Sequence, residues 1–191
     1  ELQRLGGERL SIATLEDPVE WNMASLCQTD LSQSTAKLEA GDALKALLRQ
    51  DPEVIFIGEI RDGETARVAL QASLTGHLIL TTLHATSVFE AVMRLLAFGL
   101  AKEEVFLALQ AHLGLKLEPR VCGECKNGQV QRAHCSHCSA RGFRGRRLRY
   151  NLSLIDDDLK AGLLEHEDSW KKLFSGSSLS GEMEEGHEES F

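Results

Sequence analysis

Long apolar runs are absent from this sequence of 191 residues, and none approaches the ~20 residues that a membrane-spanning helix requires. A secretory signal is absent as well. These absences argue against a transmembrane class, and we predict a cytoplasmic chain whose membrane contacts would come through partners. At 191 residues the chain can hold one domain with a real core, or one domain and a small appendage, and the 42% of hydrophobic residues supports a globular body.

Basic residues are concentrated in one segment. Residues 116–150 carry nine Lys and Arg against two Asp and Glu, whereas residues 1–115 carry nine against sixteen and residues 151–191 carry three against eleven. A basic segment can contact phosphate, a membrane surface or an acidic neighbour, and composition does not choose among these. We expect no nucleic-acid partner, because the net charge is −8 and the segment offers only Phe143 and Tyr150 for stacking.

Cysteine is scarce outside that segment. Cys27 stands alone, and we predict a small buried apolar residue there. The other four form two C-x2-C pairs separated by nine residues, and two such pairs can bind one tetrahedral Zn²⁺ ion. Four thiolates leave no open coordination position, so we predict a structural zinc site. Disulfide bonds are the alternative, although nothing in the sequence indicates an oxidising compartment. The predicted ligands are Cys122, Cys125, Cys135 and Cys138.

Residues 50–62 predict a central buried strand. The apolar run 54–57 follows Pro52, which ends the preceding helix, and such continuous runs are typical of parallel strands covered on both faces. Glu59 and Arg61 follow at once. Since ligands bind beyond the carboxyl ends of strands in open α/β sheets, we predict that Glu59 orients water or holds a metal ion. The alternative is that both charges only solvate a strand end.

A second predicted strand, residues 10–15, is followed by Glu16, Asp17 and Glu20. If this strand and the central strand share a sheet, these carboxylates lie near Glu59. Two carboxylates in one crevice can divide the tasks of holding a cation and steering water. The alternative is an acidic turn in which Asp17 is a local cap.

A third predicted strand, residues 77–84, has a histidine at each end. His84 occupies the same kind of strand-end position as Glu59, where an imidazole could donate a hydrogen bond to a phosphate oxygen. His77 lies at the other end of the apolar run, so its geometry supports a site role less. The alternative is an ordinary polar group at each position.

Helical patterns alternate with these strands, and together they predict an α/β fold with a parallel sheet. Residues 22–38 are polar and are predicted to be irregular, and a strand over 148–152 follows the cysteines. The predicted helices cover residues 38–50, 63–75, 88–98, 102–114 and 156–174.

Five stretches together resemble the ATPases that power type II secretion and type IV pilus assembly. TLEDPVEW (14–21) is similar to the Asp box of that family, LLRQDPEVIFIGEIRD (47–62) to its Walker B signature and TGHLILTTLHA (75–85) to its His box. The cysteine pairs resemble its tetracysteine zinc element, and GFRGR (142–146) resembles the motif that follows it.

The resemblance implies a RecA-like P-loop NTPase core that works as a hexamer with ATP and Mg²⁺ and docks on an inner-membrane platform protein. It implies that Glu59 and Glu20 are the catalytic carboxylates. It also implies roles around the nucleotide for Asp17, Arg61, His84 and His77, the two histidines sensing the γ-phosphate. The tetracysteine element implies the assembly or export branch, because retraction motors usually lack it.

The phosphate loop, G-x-x-x-x-G-K-[ST], is absent from the 191 residues. That loop holds the β- and γ-phosphates, and in the family it precedes the Asp box. We therefore expect a C-terminal piece of a longer ATPase, which by itself hydrolyses little or no ATP. The alternative function is a non-catalytic zinc-knuckle adaptor that binds a partner protein or nucleic acid.

The predicted organisation has four parts. Residues 1–115 form the C-terminal part of the ATPase domain, and residues 116–150 form the zinc element with its following strand. Residues 151–174 are helical, and residues 175–191 form a disordered acidic tail, because Ser, Gly and Glu dominate there.

Overall fold

The computed structural model describes residues 10–33, 38–126, 135–165, 174 and 178–183, which form two β-sheets and the helices that accompany them. The first sheet is parallel and carries the candidate site. The second is antiparallel and adjoins the four cysteines. The α/β class predicted from the alternation of strands and helices is confirmed. Within these ranges, no helix has both the length and the apolar character needed to cross a membrane.

The parallel sheet has the strand order β2-β1-β3-β4. Leu15 of β1 is paired with Ile57 of β3, and Ile57 with Thr81 of β4, so these three strands end at the same edge. The central strands β1 and β3 are largely buried, as expected for strands covered on both faces. The strands are β1 (Ile12–Glu16), β2 (Cys27–Asp30), β3 (Val54–Ile57) and β4 (Leu78–Thr81).

Within the described residues, four α-helices accompany this sheet: α1 (Ala40–Leu48), α2 (Gly63–Leu74), α3 (Val88–Ala97) and α4 (Lys102–Ala108). Helix α1 packs on β1 and α2, and α2 packs on β4 and α4. Their apolar faces share one core with the strands, in which each fully buried large side chain contributes about 1.5–3 kcal/mol. The members with no exposed surface are Leu44, Ile55, Val92, Val105, Phe106 and Leu163.

Helix α2 has a capping aspartate before its first turn and a glycine just beyond its end. The Asp62 carboxylate accepts a hydrogen bond of 2.8 Å from the Thr65 N–H, which satisfies a free donor of the first turn. Gly76, just beyond the helix, has a φ of 105°, a left-handed conformation that glycine adopts without steric cost. Because Asp62 follows the charged end of β3, the start of this helix fixes where the loop after that strand leaves the sheet.

The antiparallel sheet consists of β5 (Ala111–Val121), β6 (Phe143–Leu154) and β7 (Ser178–Met183), in that order. Opposite positions alternate between two faces, and Leu117 is paired with Leu148 on the apolar face. On the polar face Glu118 lies 3.1 Å from the ammonium of Lys116 and 3.5 Å from the guanidinium of Arg149. Part of the positive charge of the basic segment is therefore compensated within the sheet. In the part of the chain that the structure describes, two short helices, α5 (Gly123–Lys126) and α6 (Asp157–Glu165), follow β5 and β6.

The helix predicted over residues 102–114 is wrong beyond Ala108, where α4 ends and β5 begins three residues later. Leu113, Leu115 and Leu117 alternate with polar residues, and this period of two matches a strand paired with β6. Strand β5 also runs across the predicted division at residue 115. Strand β6 is longer than the predicted 148–152 and crosses the division at residue 150.

Three further predictions need correction. Residues 22–38 contain strand β2, a short polar edge strand that local hydropathy does not indicate. Cys27 is exposed, because it begins that edge strand, so the prediction of a buried residue is wrong. Residues 178–183, in the tail predicted to be disordered, pair with β6 as strand β7. The remaining tail residues, and residues 166–173 of the predicted last helix, lie outside the described residues.

Candidate functional site

The candidate site lies at the carboxyl edge of the parallel sheet. Because β1, β3 and β4 end in register, the loops that follow them meet at one rim. A cavity of about 850 Å³ opens there. The sequence-predicted residues that line it are Glu16, Asp17, Glu20, Glu59, Arg61 and His84.

Glu59 is held on both carboxylate oxygens. Its Oε1 lies 2.8 Å from Nε2 of His84, and its Oε2 accepts a hydrogen bond of 2.7 Å from Nε of Arg61. The Glu59 side chain is 18% exposed, whereas that of His84 is 76% exposed. The hydrogen bond from Arg61 is the largest influence on the pKa of Glu59; burial opposes it, the charge of His84 reinforces it, and the net pKa is lowered. Glu59 is therefore ionised at neutral pH.

Arg61 joins two strand ends. Besides its bond to Glu59, its Nη1 lies 3.3 Å from Oδ2 of Asp17. The hydrogen bond with Glu59, followed by the charges of Glu59 and Asp17, raises the pKa of Arg61. Because Asp17 follows β1 and Glu59 follows β3, one guanidinium ties the two loops together.

Glu20 and His77 occupy different positions relative to this cluster. Glu20 is exposed on the loop between β1 and β2 and lines the same cavity as Glu59. His77 precedes β4, whereas His84 follows it, so the two histidines lie at opposite ends of the strand. Nδ1 of His77 lies 3.0 Å from the carbonyl oxygen of Ala72, at the end of α2. The structure thus brings Glu20 and His84 to the rim and leaves His77 away from it.

Two residues that hold the loops around the rim were not predicted. Thr82 donates a hydrogen bond from Oγ1 to the carbonyl of Gly58, and its own carbonyl accepts one of 3.3 Å from the Ile60 N–H. Thr82 follows β4 directly, a positional signal that could have identified it. Gln28 bonds to the loop that carries Glu20, but it lies in a polar stretch without periodicity, and no sequence signal pointed to it.

The rim combines hard oxygen donors with two exposed cationic or polar groups. Carboxylate oxygens are the ligands that Mg²⁺ prefers, and Asp17, Glu20 and Glu59 offer them around one cavity. The guanidinium of Arg61 and the imidazole of His84 can donate hydrogen bonds to phosphate oxygens. This donor set fits a magnesium-bound phosphate ester, although both oxygens of Glu59 are already engaged by Arg61 and His84.

The four cysteines between β5 and β6 form a second candidate site. Their sulfur atoms all lie within 4.8 Å of one another. The Sγ atoms of Cys122 and Cys135 are 3.9 Å apart, and those of Cys125 and Cys138 are 3.7 Å apart. Tetrahedral zinc with Zn–S bonds of about 2.3 Å requires sulfurs about 3.8 Å apart. The cluster therefore fits the geometry of one zinc ion, and its thiols are all free rather than disulfide-bonded.

The surroundings of the cluster favour a thiolate at Cys138. Burial opposes ionisation, but the N–H of Gly142 donates to its Sγ at 3.2 Å, and together with the neighbouring thiols this lowers the pKa of Cys138 to about 7. Cys122, Cys135 and Cys138 are 2–3% exposed. A buried set of four ligands is a closed site, which is typical of structural metal.

The family of type II/IV secretion system proteins matches residues 1–185, which is nearly the whole chain. The chain belongs to this family. The resemblance stated from the sequence motifs is confirmed.

Curated relatives are similar over most of this chain. The type II secretion system protein HxcR of Pseudomonas aeruginosa is 40% identical over 165 residues, which cover 83% of this chain and 34% of the relative. The type II secretion system protein E of Klebsiella pneumoniae is 37% identical, covering 85% and 36%. The type IV pilus assembly ATPase PilB of Thermus thermophilus is 34% identical, covering 85% and 21%. The chain thus spans about a third or less of the length of these relatives.

Solved structures agree on the fold. The pilus retraction motor PilT with bound ADP superposes with a TM-score of 0.66 at 28% identity, over 87% of this chain and 44% of the other. The ATPase DotB of Legionella pneumophila gives a TM-score of 0.72 at 23% identity, over 93% and 47%, which supports the fold alone. The predicted α/β core of a secretion ATPase is confirmed.

Proposed function

We propose that this chain is the C-terminal piece of a hexameric ATPase that powers assembly of a type II secretion pseudopilus or a type IV pilus. One observation carries the proposal. Glu59, at the end of β3, is bonded to both His84 and Arg61 and shares a cavity with Glu20. The names of the relatives support the general activity, since they include secretion proteins and a pilus assembly ATPase.

In this proposal Glu59 activates or orients the attacking water. An ionised carboxylate can accept a proton from water, and general-base catalysis of this kind contributes about 10²–10⁴-fold. Each oxygen of Glu59 has one partner in the present arrangement, and an ionised carboxylate offers about four acceptor sites, so Glu59 can also accept a hydrogen bond from water. His84 is the more exposed partner, and it is the one we expect to turn toward the γ-phosphate.

The other rim residues support the same reaction. Glu20 is the second catalytic carboxylate, and Asp17 supports the loop or the metal shell. Arg61 holds the Asp17 and Glu59 loops together and offers a guanidinium near the phosphates. Bound Mg²⁺ would neutralise developing phosphate charge, with carboxylate oxygens of this rim as its protein ligands. His77 lies at the opposite end of β4, and we assign it no role at this rim.

The missing phosphate loop would come from another part of the parent protein. Among the described strands, β4 is at the edge of the parallel sheet, with β3 as its neighbour on one side. Leu78 of β4 is 49% exposed. An additional parallel strand could pair there and bring a phosphate loop to the same carboxyl edge, where the cavity opens. We therefore propose that this chain alone binds ATP weakly and turns it over little.

The cysteine cluster is proposed to hold zinc in a structural role. A closed set of four thiolates offers no position for water or substrate, so its contribution is to fix the segment between β5 and β6. Its presence favours an assembly or export motor over a retraction motor. In the cell we place the protein in the cytoplasm, peripheral to the inner membrane, where its partner is a platform protein of the machine.

The decisive experiment replaces Glu59 in the longer protein that supplies the phosphate loop. Glu59→Gln keeps the shape and removes the base, so we expect ATP turnover to fall by about 100-fold with little change in nucleotide affinity. Glu53→Gln is the matched control, because Glu53 precedes β3 at the opposite edge and accepts a hydrogen bond from the Ser11 N–H.

Undiminished turnover in Glu59→Gln would remove Glu59 from the reaction. An equal loss in Glu53→Gln would attribute the effect to general destabilisation of the sheet. In either case the proposal of catalysis by Glu59 at this rim fails. The alternative function, a non-catalytic zinc-knuckle adaptor, then becomes the better description.

A further inference from the structure

The side-chain amide of Gln28 makes three hydrogen bonds around the loop that carries Glu20. Its Nε2 donates to Oε1 of Glu16 at 3.1 Å and to the carbonyl of Trp21 at 3.0 Å. Its Oε1 accepts from the N–H of Met23 at 2.6 Å. One amide therefore uses both its donor and its acceptor side, and it joins the last residue of β1 to the middle of the loop between β1 and β2.

Gln28 is held in place by the parallel sheet. Gln28 belongs to β2 and is paired with Thr14 of β1, whose side chain is fully buried. The hydroxyl of Thr14 donates to the same Glu16 oxygen at 2.6 Å. Residues opposite each other, and residues two apart on one strand, share a face of the sheet, so Thr14, Glu16 and Gln28 form one polar cluster on that face.

Glu20 lies between two anchored points of the loop. Asp17 is bonded to Arg61 at one side, and Trp21 and Met23 are bonded to Gln28 at the other. Pro18, with its fixed φ, lies within this short span and further restricts the backbone. The position of the Glu20 carboxylate in the cavity therefore depends on the loop backbone that Gln28 binds at Trp21 and Met23.

We infer that Gln28 is a positioning residue that sets the place of Glu20 for nucleotide hydrolysis. This inference rests on the proposed role of Glu20. Gln28 does not line the cavity, and it acts through the loop backbone. A misplacement of about 1 Å in a catalytic group can reduce turnover by about 100-fold, so a single amide is sufficient to matter.

The first test measures the loop itself in this chain. The sequence has three methionines, Met23, Met93 and Met183, so ¹⁵N-methionine labelling gives a simple amide spectrum. In Gln28→Ala we expect the Met23 amide to exchange with solvent about ten times faster, because its acceptor is lost. The Met93 amide, in helix α3, should be unchanged and reports that the protein is folded.

The matched control is Gln71→Ala. Gln71 is the same residue type, lies exposed on helix α2 and does not line the cavity. Its variant should leave Met23 exchange unchanged. Unchanged Met23 exchange in Gln28→Ala, or equal acceleration in Gln71→Ala, would overturn the inference.

The second test measures turnover in the longer protein that supplies the phosphate loop. We expect Gln28→Ala to lower kcat about ten-fold with little change in KM for ATP, because the nucleotide is bound by other residues. Gln28→Glu, which has the same shape but replaces the donor with an acceptor, should also lower kcat. In a Glu20→Gln background, Gln28→Ala should remove little more, since both changes act on one group.

The two tests separate the failure of this inference from the failure of the proposed function. If Glu20→Gln retains full turnover, the role of Glu20 is wrong, whatever Met23 exchange reports. If Glu20→Gln is impaired while Gln28→Ala retains full kcat, or if their losses multiply, Gln28 does not position Glu20.

Discussion

The two candidate sites of this molecule are assembled in opposite ways. The rim of the parallel sheet brings together groups far apart in sequence, such as Asp17 and Arg61, which are separated by 44 positions. The cysteine cluster joins Cys122 to Cys135 across 13 positions. The rim groups are mostly exposed and hold one another by ion pairs, whereas three of the four cysteines are almost completely buried.

This difference shows how much each site depends on the rest of the fold. The rim exists because three parallel strands end in register, and its charged groups can exchange partners in an open cavity. The cysteine cluster needs only the pairing of β5 with β6 to bring its two C-x2-C pairs together. Four cysteine ligands would leave a bound metal ion no coordination position for water. We therefore expect the ion pairs at the rim to rearrange without loss of the site. Metal binding by the cluster should require all four cysteines.

The largest effect should follow the loss of one cysteine. In Cys125→Ser we expect the zinc content of the purified chain to fall from about one ion to nearly none, because structural zinc needs all four ligands. Elemental analysis of the metal, together with a thermal melt, checks this. Cys27→Ser is the control, since Cys27 is exposed on β2 and far in sequence from the cluster. Full zinc content in Cys125→Ser would show that the cluster is not a four-ligand site.

A moderate effect should follow loss of the N-cap of helix α2, the helix that begins directly after the loop carrying Glu59 and Arg61. Asp62→Ala should lower the free energy of unfolding by about 1 kcal/mol, because the N–H of Thr65 loses its acceptor. Asp62→Asn retains a capping oxygen and should be nearly neutral. Urea titration of both variants checks this, and equal destabilisation by the two would assign the effect to charge and not to capping.

The smallest effect concerns the ionisation of Glu59. Its folded pKa is lowered from 4.5, chiefly by the hydrogen bond from Arg61. Because the folded pKa is the lower one, the associated stability is present above the unfolded value and is lost as the pH falls through the folded value. In Arg61→Ala the pKa of Glu59 should move back toward 4.5, which a carboxyl ¹³C NMR titration measures. Lys45→Ala, on the distant Lys45–Glu64 pair, should leave that titration unchanged.

The local patterns predicted a large part of the fold correctly. The apolar run 54–57 indicated the buried strand β3, and the helical patterns indicated α1, α2 and α3 to within a few residues. Errors occurred where tertiary contacts outweigh local preference. The first residues of strand β5, 111–114, were predicted as the end of a helix because Leu113 was assigned a helical period, whereas pairing with β6 gives this segment the alternation of a strand. Strand β2 is polar and was not predicted at all.

The site was predicted unevenly for the same reason. Glu59, Glu20 and His84 were found because charge at a strand end is visible in sequence, and the structure places all three around one cavity. Their catalytic roles remain predictions. Arg61 was predicted near the nucleotide, but its bridge between Asp17 and Glu59 depends on loops that meet only in the folded sheet. Gln28 was missed because its importance lies in three bonds to a loop and not in its own local pattern.

The sequence by itself determined the family, most of the alternation of strands and helices, and the clustering of the four cysteines, because each depends on residues close together in the chain. Tertiary structure alone decided that Arg61 bridges two loops, that His77 lies away from the rim, and that Gln28 supports the loop of Glu20. These facts depend on strand order and register, which are set by long-range hydrogen bonds and shared burial that no local pattern records.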